Sequence, residues 1–148
     1  MAGFTPAQFS KLSSLFLTAF GQFSYETDRS KYGVEEYWEL ITRTSPEVRT
    51  RLPLKGDCEA FAMLCMQKLI NAGFNARLVV CRTERGEGHC ICEVVSSDSQ
   101  EAVYFDNRRT RVSQRRDLAG YTFLAVSPYN PVPGETRPWH AIIARDRV

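Results

Sequence analysis

Gly56-Asp57-Cys58-Glu59-Ala60-Phe61-Ala62-Met63-Leu64-Cys65-Met66, running on through Leu69 and Ile70 to Gly73, decides the fold. Asp57 is of a type that caps helices, and the apolar residues after it predict a mostly buried helix over 57–72. Gly73 stands where a C′ glycine ends such a helix. Cys58 falls in the first turn. There the unsatisfied backbone N–H groups and the helix dipole favour a negative charge on sulfur. The same N–H groups suit an oxyanion formed by attack on a carbonyl.

Downstream the pattern changes to short strand-like runs: Ala76–Arg82, His89–Val95, Ala102–Asp106, Tyr121–Val126 and Trp139–Ala144. Ser96-Ser97-Asp98-Ser99 reads as a hairpin connection, and residues 128–138 as a proline-rich loop. Upstream, Phe9, Leu12, Leu15, Phe16, Ala19, Phe20 and Phe23 form one apolar stripe, predicting a helix over 5–20 that Gly21 ends. Thr5 and Gln8 fit a capping box, Pro6 the first helical position, and Phe4 with Phe9 a hydrophobic staple. Residues 24–33 read as a loop. A shorter helix fits 34–43 through Val34, Tyr37, Trp38 and Ile41, and Ser45-Pro46-Glu47 looks like another helix start. Helices first and antiparallel strands after give an α+β fold on one domain spanning residues 1–148.

Composition removes several classes. With 43% hydrophobic and 24% charged residues the chain is globular. Lys plus Arg number 19 against 17 Asp plus Glu, and a net charge of +2 is too weak to argue for nucleic acid by itself; a nucleic-acid partner is not expected, since the arginine-rich loop after Asp106 lacks interleaved aromatics for base stacking. No apolar run is long enough for a membrane span. Five cysteines exclude a fully paired disulfide framework. Residues 1–20 lack a basic leader and carry Lys11 among their apolar positions, so no export signal and a reducing, cytoplasmic setting are expected.

Three short motifs carry chemistry: Gly56-Asp57-Cys58-Glu59, Gly86-Glu87-Gly88-His89 and Phe105-Asp106-Asn107. His89 opens a strand and Asp106 closes the next. If the two strands pair as a hairpin, both residues come near one end of the sheet. Asp106 then orients His89, and His89 activates Cys58, an arrangement of nucleophile, base and orienting acid. Taken singly, each residue has an ordinary structural reading: a small buried hydrophobe, a structural imidazole, a turn carboxylate. Cys65, Cys81, Cys90 and Cys92 suit core packing, and Cys90 with Cys92 face away from His89. His140, the other of the 2 histidines, has no acidic motif beside it.

The order of the three motifs resembles the bacterial transglutaminase-like cysteine peptidases, which include periplasmic proteases that cleave biofilm adhesins. The similarity covers roughly residues 20–145, with weaker matches at Tyr25, Asp28, Trp38, Ser127, Asn130 and Trp139. It implies a papain-like α+β fold with Cys58 as nucleophile, His89 as base and Asp106 as orienting acid. Two departures stand out. The family pattern continues Gly-Asp-Cys-Glu-Asp, whereas Ala60 takes the last place here. In the adhesin-cleaving members that acidic cluster is linked to calcium, and losing one hard ligand argues against a metal. The adhesin proteases are also exported, and a member without a leader would act inside the cell or be phage-encoded.

The expected activity is thiol hydrolysis of a peptide or isopeptide bond in a protein or peptide substrate, without cofactor or metal. Rival readings are acyl transfer to an amine, hydrolysis of cell-wall peptides, and an inactive binding module on the same fold. Arg108, Arg109, Arg111, Arg115 and Arg116 follow Asp106 closely and read either as a solvated loop or as a basic rim for an acidic substrate segment.

Overall fold

The computed structural model describes residues 3–25, 56–132 and 134–142. The helix expected over 34–43, the start at Ser45 and most of the loop at 24–33 lie outside them, as do Asp28 and Trp38. The described residues form two helices and six antiparallel strands. Helix α1 spans Pro6–Tyr25 and α2 spans Gly56–Asn71. The strands are β1 (Asn75–Arg82), β2 (Gly88–Val95), β3 (Ala102–Phe105), β4 (Ser113–Gln114), β5 (Thr122–Val126) and β6 (His140–Ala141). Their order across the sheet is β4-β3-β2-β1-β5-β6. None of the described helices is long and apolar enough to cross a membrane.

The α1 start follows its sequence signals. The Thr5 amide donates to Gln8 Oε1 at 2.9 Å, and the Gln8 amide to Thr5 Oγ1 at 3.1 Å, completing the capping box. Phe4, however, packs edge-on against Phe74 at 6.3 Å, while Phe9 stays 36% exposed. Gly21 does not end the helix. Four residues more are held because Phe23 beyond it packs edge-on against Phe61 at 5.6 Å, and that burial outweighs glycine's modest helix penalty.

Helix α2 spans Gly56–Asn71, close to the expected 57–72. At its C-terminal end the Phe74 amide bonds the Leu69 carbonyl (2.9 Å) and the Gly73 amide the Ile70 carbonyl (3.0 Å), with Gly73 at φ +91. This is a Schellman stop, and it needs the left-handed backbone that glycine adopts without strain.

Helix α2 lies on one face of the sheet, against β1 and β2, and α1 packs on α2. Phe16 of α1 meets Phe61 of α2 at 5.9 Å and Phe105 of β3 at 5.4 Å, both edge-on, which joins three elements at one point. Strand alternation sends Cys90, Cys92, Val103 and Phe105 to this helix-covered face. Val79, Cys81, Ile91 and Tyr104 face the other way, under Leu118, Tyr121 and Phe123.

The segment after β3 is more ordered than a loop. Short β4 pairs with β3, and a 3-10 helix at Arg115–Leu118 drops Leu118 onto the second face. The last run is shorter than expected: β6 holds two residues before Ile142, and residues 143 and 144 lie outside the described ones.

Candidate active site

The β2–β3 hairpin decides the site. Its register pairs Cys92 with Phe105 and Glu93 with Tyr104. Phe105 is locked into the core, so alternation turns the next residue, Asp106, to the face that His89 shares. Asp106 therefore stands just past the strand end rather than inside it. His89 Nε2 and Asp106 Oδ1 are 2.7 Å apart. His89 is also hydrogen-bonded to the Cys58 side chain. A carboxylate can only accept, so Nε2 carries the proton and Nδ1 is the nitrogen left for sulfur. All three groups are nearly out of water, with exposures of 6% (Cys58), 5% (His89) and 0% (Asp106).

Burial pulls the His89 pKa down, but hydrogen bonds and charge from Asp106 and Cys58 override it and push it from 6.5 up to about 9. Burial acts against the Asp106 carboxylate, yet its bonds to His89, the Arg108 amide and Tyr121 hold it below the usual 3.8. Those bonds engage both carboxylate oxygens. Oδ1 also accepts the Arg108 amide at 2.9 Å, and Oδ2 accepts the Tyr121 hydroxyl at 2.7 Å.

Cys65, Cys81, Cys90 and Cys92 are buried in the core. Burial pushes each of these thiols up, and the charge of Asp106 adds to the effect at Cys81. All the cysteines are free. His140 sits exposed in edge strand β6, paired with Val126 on the far side of the sheet from His89.

The family model described as bacterial transglutaminase-like cysteine proteinase matches residues 2–145, nearly the whole chain. The chain belongs to that family. No curated protein and no solved structure matches it. The proteinase is thus a cysteine peptidase, a hydrolase, on an α+β transglutaminase-like fold.

Two features of the resemblance have other local explanations in this proteinase. Ser127 Oγ accepts the Leu78 amide (2.9 Å) and Asn130 Oδ1 accepts the Ala76 amide (3.0 Å). Both clamp the chain after β5 onto β1. Ala60 is 3% exposed within the core cluster, so a carboxylate in its place would be buried among apolar neighbours. Among the described residues no group of three or more His, Cys, Asp and Glu is placed to hold an ion, and no step below passes through one.

Sequence reasoning missed Tyr121, Arg108 and Glu84. Tyr121 reads as one more strand aromatic, and Arg108 as one arginine in a run. Nothing in their spacing ties them to Asp106, because the loop from 107 to 121 has to fold back before they meet.

Proposed function

We propose that the chain is a cysteine endopeptidase whose triad is Cys58, His89 and Asp106. What supports the reading is the hydrogen-bonded run from the sulfur at the start of α2, through the imidazole, to a carboxylate bonded at both oxygens. The Cys58 thiolate adds to the carbonyl carbon of the scissile bond, and backbone N–H groups of the first helical turn receive the oxyanion. As the intermediate collapses, the C–N bond breaks and the His89 imidazolium gives its Nδ1 proton to the leaving amine. Neutral His89 then takes a proton from water, and the hydroxide cleaves the thioester and releases Cys58. Asp106 keeps Nε2–H in place throughout, so the imidazole always presents the same nitrogen to sulfur.

The test uses a peptide library with new termini read by mass spectrometry, comparing the chain with Cys58→Ala, His89→Ala and His140→Ala. Cleavage should vanish in the first two, by a factor of about 10³ or more, and persist in the third. Cleavage that survives Cys58→Ala overturns the mechanism. An added primary amine that appears on the acyl product assigns transfer in place of hydrolysis.

A further inference from the structure

The bonds around Asp106 continue outward to the protein surface. Tyr121 Oη donates to Asp106 Oδ2 at 2.7 Å and itself receives an N–H from Arg108 Nη1 at 2.8 Å. Arg108 is held by both oxygens of Glu84, at 2.7 Å and 3.2 Å. Glu84 comes from the β1–β2 turn, and it gets close because residue 120 is glycine. A Cβ on Gly120 would lie 2.6 Å from the Glu84 Cβ. The Tyr121 ring also packs edge-on against His89, at 5.9 Å and 86°.

The direction of each bond is fixed. An arginine can only donate, so Arg108 fills the acceptor side of the phenol. The Tyr121 proton must then point at Asp106. Donation from a cation polarises the hydroxyl and makes it a stronger donor to the carboxylate. Burial and the Asp106 charge keep this phenol protonated by pushing its pKa up. The other titratable or charged groups facing Asp106 and Tyr121 are His89 from β2, Cys81 from β1, Arg108 itself and Arg109, whose guanidinium lies 5.7 Å over the Tyr121 ring.

We infer that Tyr121, locked by the Arg108–Glu84 pair, is a positioning residue that fixes Asp106 and, through it, the His89 ring that faces Cys58. The inference rests on the triad reading above. It also gives a role to one arginine of the run: Arg108 serves the site from the side, whereas Arg115 stacks over Phe123 at 4.1 Å.

The test needs no substrate. Carbamidomethylation of Cys58 by iodoacetamide is followed across pH by mass spectrometry in the intact chain. Tyr121→Phe keeps the ring and removes the hydroxyl, so Asp106 protonates at higher pH and its support of the imidazolium fails earlier. The acid limb of the Cys58 rate should move up by about one pH unit, the size expected for one hydrogen bond to a charge. Arg108→Met should move it the same way by less, and should add nothing in the Tyr121→Phe background. The Arg108 side chain is 31% exposed, so this variant carries the test if Tyr121→Phe fails to fold. An unmoved limb in the folded variants, or shifts that add, overturns the brace. His89→Ala separates the two readings. If it alkylates as fast as the parent chain, the triad itself fails. If it is slow while Tyr121→Phe and Arg108→Met follow the parent, the triad stands and the brace falls.

Discussion

Strand β2 carries two buried polar networks on one face, four residues apart, and they end differently. At its start His89 meets Asp106. Farther along, Glu93 is 5% exposed and accepts Arg77 Nε at 2.7 Å, Tyr129 Oη at 2.8 Å and Tyr104 Oη at 2.9 Å. Each carboxylate is therefore satisfied by a cation-forming side chain and by tyrosine hydroxyl. The Glu93 network is closed, because a guanidinium only donates and has no acceptor nitrogen to offer a further group, and Arg77 stacks on Tyr129 at 4.4 Å. The Asp106 network is open, because its basic partner titrates and presents a second nitrogen to a thiol. The two carboxylates differ less in burial than in whether the cation beside them can move a proton. A buried ion pair by itself is structural, and a titratable partner with a free nitrogen can do chemistry.

Exchanging charge for amide at the two sites gives the sharpest break in this comparison. Glu93→Gln leaves Arg77 and two hydroxyls without their acceptor charge, and should cost about 2–4 kcal/mol in urea unfolding while peptide cleavage by the folded chain continues. Asp106→Asn should do the reverse: cleavage falls by a factor of about 10² or more, with a smaller loss of stability. Equal effects of the two variants on cleavage would remove the distinction.

The pH dependence of unfolding should show the difference next. The folded His89 pKa is raised from 6.5 to about 9, so its contribution to stability is complete below 6.5 and is lost as pH rises through about 9. The folded Asp106 pKa is depressed below 3.8, so its contribution is present above 3.8 and is lost as pH falls below that value. The melting temperature should therefore decline from pH 6.5 to 9, and Asp106→Asn should flatten that decline. A decline of the same size in Asp106→Asn would show that His89 does not depend on this partner.

Calcium should have the smallest effect. Ala60 supplies no carboxylate to the start of α2, so EGTA should leave cleavage unchanged and millimolar Ca²⁺ should not raise the melting temperature. Activity lost in EGTA and restored by Ca²⁺ but not Mg²⁺ would place a metal site beside the open network.

The sequence by itself determined what nearest neighbours and periodicity control. Thr5 and Gln8 marked the start of α1, Gly73 the end of α2, and strand alternation the separation of Cys90 and Cys92 from His89. Two of the three motifs also named the groups that the hairpin brings together, His89 and Asp106, since a short connection between β2 and β3 leaves little choice of register. Tertiary structure decided the rest. Phe23 found Phe61 and carried α1 past Gly21, a contact that no local propensity contains. The loop after Asp106 formed β4 and a 3-10 turn, since Leu118 had the second sheet face to bury itself against. That fold-back brought Tyr121 onto Asp106, and Arg108 onto Glu84 from another turn. Side chains 15 and 24 positions apart met there because hydrophobic burial placed their backbones together, and burial is a property of the whole chain.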